Sequence, residues 1–180
     1  MGKALLSAKK VEYALYGIAS HLSHLDEAKK DKMFANLTAE DFLSDDPEKK
    51  KMRKATLGRL YRVFGKRLFV SNIAFDTFLQ ERNFIVHEFF RSLIKERDIE
   101  VHHKRLNDFI DLAAITEKAI KGLLSQLTEA AAHKEGRDDE FELQPEDEVN
   151  RKYYEAFVAL HMHANGEIEL SPIKGVAVPG

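Results

Sequence analysis

Helix-breaking residues are scarce in this chain, and this scarcity constrains its fold more than any other feature. The 180 residues include only four prolines and nine glycines. Apolar residues recur every three or four positions over long windows, which is the period of an amphipathic helix, whereas strand-like alternation is nearly absent. We therefore predict an all-α fold, an antiparallel bundle of about four to five helices.

The same pattern places the helices along the chain. Proline is preorganised for the first helical position, so Pro47 and Pro145 each mark a predicted helix start. The predicted helices cover residues 4–29, 47–69, 72–97, 99–134 and 145–164, with a short helical turn after Thr38. We assign residues 1–164 to one domain with an acidic loop at about 135–148, followed by an extended C-terminal tail at 165–180.

Cysteine is absent, which excludes disulfides, thiolate zinc sites, iron–sulfur clusters and cysteine nucleophiles. The first 25 residues lack the uninterrupted apolar core of a secretory signal, and no later run approaches the roughly 18 apolar residues of a membrane span. We therefore expect a cytoplasmic protein without a membrane partner. The sequence also lacks a glycine-rich phosphate loop, so no cofactor is predicted.

A metal site is not predicted either. His21 and His24 lie three apart on the first predicted helix, a spacing compatible with ligation. Their neighbours Leu22 and Leu25 belong to the apolar stripe, and Asp26 or Glu27 are the nearby carboxylates. We expect these histidines to be structural.

Charge is balanced overall, with 28 basic and 30 acidic residues, but unevenly distributed. Residues 49–67 contain nine Lys and Arg and no acid. Arg59, Arg62 and Lys66 fall on one ridge of the predicted helix, which favours phosphate binding. The alternative is a solvated basic face that acidic segments such as 138–148 balance.

The third predicted helix carries an arginine within its apolar arc. Arg82 lies in the middle of an arc formed by Phe75, Phe78, Leu79, Ile85, Val86, Phe89 and Leu93. Burying a guanidinium is costly unless it is paired, so we expect a carboxylate such as Asp76, Glu81 or Asp108 beside it. Asn83, His87 and Arg91 form a separate ridge. On a regular helix Arg82 and His87 diverge by about 140°, so they share a pocket only if the helix deviates there.

The string Glu81-Arg82-Asn83-Phe84-Ile85-Val86-His87 resembles the Arg-(polar)-x-x-x-His signature of HEPN domains (higher eukaryotes and prokaryotes nucleotide-binding). The resemblance is close over residues 78–93 and elsewhere rests on helix number, length and order. Many HEPN proteins are metal-independent endoribonucleases of toxin–antitoxin, phage-defence and CRISPR-linked systems, and others are inactive RNA- or nucleotide-binding relatives. The resemblance implies that Arg82, Asn83 and His87 are catalytic.

The residue types suit that chemistry. Metal-free RNA cleavage needs a proton acceptor for the 2′-hydroxyl, a proton donor for the leaving oxygen and a fixed cation at the phosphate. Histidine serves the proton steps and arginine the phosphate. One motif supplies one histidine, so a homodimer that shares a cleft is expected. The resemblance implies RNA as a partner and, for a toxin, an antitoxin protein. Arg91 and the Arg59–Lys66 ridge are predicted to bind nucleic acid.

Two other interpretations stay open. The first is an inactive HEPN-like module that binds RNA, a nucleotide or a partner protein. The second is a structural helical oligomer, in which Arg82 is ion-paired and His87 braces the bundle without contacting a ligand.

Overall fold

The computed structural model describes residues 1–23, residue 30 and residues 73–164. In this part of the chain every regular element is helical, so the prediction of an all-α fold is confirmed. The five α-helices are α1 (Gly2–Leu22), α2 (Ile73–Asn83), α3 (Phe89–Glu96), α4 (Ile99–Lys134) and α5 (Pro145–Ala164). Two short segments join them, a π-helical turn at Phe84–Glu88 and a 3-10 turn at Asp138–Glu140.

The apolar spacing of the first helix predicts one buried stripe, and the structure confirms most of it. The predicted stripe consists of Leu5, Ala8, Val11, Leu15, Ile18, Leu22 and Leu25. Ala8, Val11, Leu15 and Ile18 are buried, but Leu5 is 39% exposed. Ala4 takes the inner position instead, since it lies four residues before Ala8 on the same ridge.

Helix α4 is the element against which the others pack. Its bounds match the predicted range, because Asp98 caps its start by accepting the Val101 N–H at 3.0 Å. α1 and α5 pack along α4, and α2 packs against its N-terminal half. The buried core draws on all of these helices, with Val11, Ile18, Phe75, Phe78, Phe109, Thr116 and Ile120 the largest fully buried side chains.

Contact between α4 and α5 is close enough to involve the backbone. A Cβ built on Gly122 would lie 2.2 Å from the Asn150 carbonyl oxygen. No side chain fits between the two helices at that point, so glycine is required there by space. Pro145 begins α5 as predicted, and the acidic loop before it contains the 3-10 turn Asp138–Glu140.

The third predicted helix is interrupted. The regular ladder ends at Asn83, and Phe89 donates its backbone N–H to the Phe84 carbonyl oxygen, five residues back. Val86, predicted to face the core, is 40% exposed. The regular wheel behind that prediction does not apply beyond residue 83, because a π-turn holds one more residue than an α-turn.

Several predictions fall outside the described residues. These are the end of the first helix beyond Ser23, the turn after Thr38, the 47–69 helix with Arg59, Arg62 and Lys66, and the tail at 165–180. Among the helices that are described, none combines the length and apolar character needed to cross a membrane.

Candidate functional site at the π-turn

The π-turn begins directly after Arg82-Asn83 and includes His87, so it changes the relative direction of the two ends of the sequence motif. An α-helix advances about 100° per residue, so one extra residue in a turn rotates everything after it back by about that angle. His87 lies inside the turn, so only part of this rotation applies to it, and its divergence from Arg82 in projection falls below the roughly 140° of a regular helix. The deviation that the motif needs is present at the motif itself.

The two ends of the motif differ in exposure. His87 and Asn83 are exposed, whereas the Arg82 side chain is 19% exposed. Arg82 Nη1 donates to Asn83 Oδ1 at 3.1 Å. The structure therefore brings Arg82 and Asn83 together, while His87 makes no hydrogen bond or ion pair to another described residue. An exposed, unengaged imidazole is available for proton transfer.

Arg82 is neutralised by a residue that the sequence analysis missed. Its Nη2 donates to Glu12 Oε1 of α1 at 3.0 Å, and the Glu12 side chain is only 5% exposed. The carboxylates proposed from sequence are not its partners, since Glu81 binds Arg105 instead. The expectation that a buried arginine must be paired is correct, but the acid comes from another helix.

A signal for Glu12 exists in the sequence of α1. Glu12 lies four residues after Ala8 and four before Tyr16, both buried, so the acid falls within the apolar face. An acid and an arginine that both occupy core positions are candidates to pair. Sequence alone does not show that these two helices meet there, because the two residues are 70 positions apart.

Lys9 makes the cluster a group of three charges. Its ammonium donates to Glu12 Oε2, so both oxygens of one buried carboxylate bind cations. The Lys9 side chain is 60% exposed, and the Arg82 Nε is buried without a hydrogen-bond acceptor. Two cations and one carboxylate leave the cluster with a net positive charge next to the π-turn, which favours an anionic ligand.

The remaining predicted residues do not converge on this cluster. Arg91 is exposed and pairs with Glu88 at 2.8 Å, one turn away on the same helix. Of the two adjacent histidines near the start of α4, His103 is exposed and His102 is buried. In the described ranges, no three His, Asp or Glu side chains are grouped so as to hold a metal ion.

Helix α4 borders the π-turn with a second charged pair. Arg105 binds both oxygens of Glu81, at 2.7 and 2.8 Å, and its Cζ lies 3.4 Å from the centre of the Phe84 ring. The hydrogen bonds to Glu81 raise the pKa of the Arg105 guanidinium, against a smaller opposing effect of burial. A hollow of about 280 Å³ lies beside this pair, lined by Thr77, Glu81, Arg105, Asp108, Phe109 and Leu112.

Comparison with known proteins does not place the chain in a family. No protein-family model matches it, and neither a curated protein nor a solved structure similar to it is found. Function is therefore inferred from the residues and geometry of the π-turn.

Proposed function

We propose that this protein is a metal-independent endoribonuclease of the HEPN type. One observation supports the proposal, namely that a π-turn begins directly after Arg82-Asn83 and includes His87, so the imidazole leaves the regular helical path that would direct it away from the arginine. π-turns cost regular helix hydrogen bonding and are frequent at functional sites. Here the irregularity includes His87 and the three residues before it, and it begins two residues after Arg82.

The reaction follows from the residue types. An imidazole accepts the 2′-hydroxyl proton, the 2′-oxygen forms a bond to phosphorus, and the bond from phosphorus to the 5′-oxygen breaks. The leaving oxygen takes a proton from a second imidazole. Arg82, still positively charged, binds the phosphate oxygens as negative charge accumulates there. The products carry a 2′,3′-cyclic phosphate and a 5′-hydroxyl.

A second histidine requires a second subunit, and α3 carries a suitable surface for one. Phe90 and Ile94 lie four apart on α3 and are 63% and 75% exposed, and Val86 in the adjoining π-turn is 40% exposed. Glu88 and Arg91 beside them supply one charge of each sign. A two-fold interface must complement itself, so an apolar stripe flanked by both charges suits a homodimer. His87 follows Val86 and would lie at the edge of that interface.

The proposal also covers the location of the protein, its RNA-binding ridge and its biological role. RNA as the substrate implies a cytoplasmic protein, and the Arg59–Lys66 ridge would guide the strand. A toxin or phage-defence role, with an antitoxin that covers the site, is consistent with this activity.

One observation favours an inactive RNA- or nucleotide-binding module instead. Arg82 is engaged by Glu12 and Asn83, so a phosphate must share or displace these partners. The net positive cluster of Lys9, Glu12 and Arg82 would still attract an anion without cleaving it.

A cleavage assay distinguishes the two functions. The full chain is incubated with end-labelled RNA in excess chelator, and the products are tested for a 2′,3′-cyclic phosphate. His87→Ala should lower the rate by about 10²- to 10⁴-fold, the usual contribution of a general acid or base. His103→Ala, at an exposed histidine of α4, is the matched control and should retain full activity.

The outcomes are distinct. Equal rates for the wild type and His87→Ala would exclude this histidine as the catalyst and point to a contaminating nuclease. RNA binding without cleavage by the wild type would favour the module. For the dimer, Phe90→Glu should shift sedimentation towards the monomer, whereas Leu6→Glu, at an equally exposed residue of α1, should not.

A further inference from the structure

The hydrogen bond that closes the π-turn joins Phe84 to Phe89, and helix α4 contacts both of these residues. The Phe89 N–H donates to the Phe84 carbonyl oxygen, and their rings meet edge to face with centres 6.4 Å apart. Arg105 lies over the Phe84 ring, and the His102 ring meets Phe89 edge-on at 5.4 Å. His102 and Arg105 are three apart and therefore share one ridge of α4.

Arg105 is fixed in two directions. The Glu81 carboxylate binds its Nε and Nη2, which sets the plane of the guanidinium, and the 3.4 Å separation from the Phe84 ring centre is a close cation–π contact. Glu81 lies in the last turn of α2, two residues before its end at Asn83, and Phe84 begins the π-turn. One side chain of α4 therefore holds both the last regular residues and the first residue of the π-turn.

His102 fixes the other end. Its ring is 3% exposed, with Nδ1 2.6 Å from the Asp98 carbonyl oxygen and Nε2 3.1 Å from the Ser92 hydroxyl. Phe89, which accepts the edge contact of this ring, is 5% exposed. The start of α3 is thus packed against α4 in one rotational setting.

A wide turn of this kind persists only where its surroundings hold it. Returning to a regular helix would restore α-helical hydrogen bonding, rotate α3 by about 100° relative to α2 and change the direction of His87 within the turn. That rotation would move Phe84 from Arg105 or Phe89 from His102. The two contacts on α4 therefore oppose relaxation of the turn.

We propose that Arg105 is a positioning residue, which with His102 holds the π-turn so that His87 is turned towards Arg82. Its effect on catalysis rests on the function proposed above, but its effect on the turn does not. Arg105 reaches the candidate site through Glu81 and Phe84, and it need not touch the RNA.

The turn can be tested by distance measurement. The chain has no cysteine, so pairs of cysteines introduced for spin labels are unique. One pair joins Lys95 of α3 to Asp111 of α4, and a control pair joins Gln80 of α2 to Asp111. In Arg105→Ala the first distance should shift by several ångströms or divide into two populations, while the second should stay unchanged. Dilution with unlabelled protein restricts the signal to distances within one chain.

Two further variants separate the contacts. Phe84→Leu keeps the pair with Glu81 but removes the ring, and it should reproduce the shift. Arg105→Lys keeps the charge but neither the flat guanidinium nor the double hydrogen bond, so it should restore the distance only in part. Arg151→Ala is the matched control, because Arg151 ties α4 to α5 through Ser125 and Glu129 far from the turn.

Measuring RNA cleavage by the same variants tests the effect of Arg105 on catalysis. Arg105→Ala should lower kcat about tenfold or more with little change in KM, since the cations that bind RNA stay in place. An unchanged Lys95–Asp111 distance in both Arg105→Ala and Phe84→Leu would overturn the proposal. If the wild type cleaves no RNA, the proposed function fails, yet the distances still decide whether Arg105 holds the turn.

Discussion

The two halves of helix α4 hold their neighbours in different ways. Over residues 99–112, long side chains make the contacts: His102 to Phe89, Arg105 to Glu81 and Phe84, and Phe109 to Phe78. Over residues 113–134 most of the buried residues are small, and at Gly122 the Asn150 backbone comes so near that it leaves no room for a Cβ.

The two halves of α4 therefore have different roles: the C-terminal half supports the fold, and the N-terminal half contacts the candidate site. A contact between backbones leaves little freedom, so the C-terminal half of α4 forms a rigid base with α5. Contacts made by long side chains can follow an irregular helix and fix it in an unusual setting. The N-terminal half of α4, which makes its contacts through long side chains, packs against the π-turn and the charged motif. The stability of this half should fall when its side chains are truncated. The stability of the C-terminal half should fall when its small residues are enlarged.

The largest effect is expected from Phe109→Ala. Phe109 is 1% exposed and stacks on Phe78 with ring centres 5.6 Å apart. Removing a fully buried phenylalanine should lower the free energy of unfolding by about 3–5 kcal/mol, measured by urea denaturation. Phe90→Ala, at a ring that is 63% exposed, should change it by less than about 0.5 kcal/mol. Similar values for both would contradict the assignment of Phe109 to the core.

A smaller loss of stability is expected when Glu12, the acid paired with Arg82, is replaced. Glu12→Gln leaves Arg82 and Lys9 without their carboxylate, and loss of one partner of a largely buried pair should cost about 2–3 kcal/mol. Glu88→Gln breaks the exposed pair with Arg91 and should cost about 0.5 kcal/mol or less. Chemical denaturation at neutral pH compares the stabilities of the two variants. Equal losses of unfolding free energy would show that the Glu12 pair behaves as a surface pair.

Enlargement should be costly in the other half of α4. The Cβ of Gly122→Ala would meet the Asn150 backbone, so α5 must shift, at a cost of about 1–3 kcal/mol. Gly17→Ala is the matched control, since its Cβ would meet the end of the Leu124 side chain at 3.2 Å, which can move. Alanine is also the better helix former, so this control should be neutral or stabilising. Thermal unfolding that ranks Gly17→Ala below Gly122→Ala would refute the backbone contact.

The smallest effect concerns pH. Burial raises the pKa of the Tyr154 hydroxyl, so the folded state favours the neutral phenol. A raised pKa in the folded state means that its contribution to stability is complete below the unfolded pKa of about 10 and is lost as pH rises above it. Tyr154→Phe should therefore reduce the loss of stability between pH 9 and roughly pH 11. Identical alkaline profiles for the two proteins would rule out this contribution.

The sequence predicted the positions of the helices well where local signals are strong. The bounds of α4 and α5 match because Asp98 supplies a capping side chain and Pro145 a helix start. The burial of Phe75, Phe78 and Phe89 also follows from periodicity. The motif residues were found on the same grounds, but their relative orientation was not.

Two features of the candidate site escaped prediction. The partner of Arg82 is on a helix 70 residues away, and nothing in a local window states which helices meet. The π-turn escaped because Phe84-Ile85-Val86-His87-Glu88 fits a regular helix equally well by apolar spacing. In both cases several local arrangements are acceptable, and packing selects one.

The sequence alone determined where helices form and which residues enter the core, since hydrogen bonds within a helix and apolar periodicity depend on near neighbours. Tertiary structure decided which way His87 faces and which acid neutralises Arg82. The direction of His87 depends on one extra residue in a turn, and Arg105 and His102 on another helix hold that residue count in place. Such a choice is made by contacts across the fold, where a rotation of about 100° separates two otherwise acceptable helices.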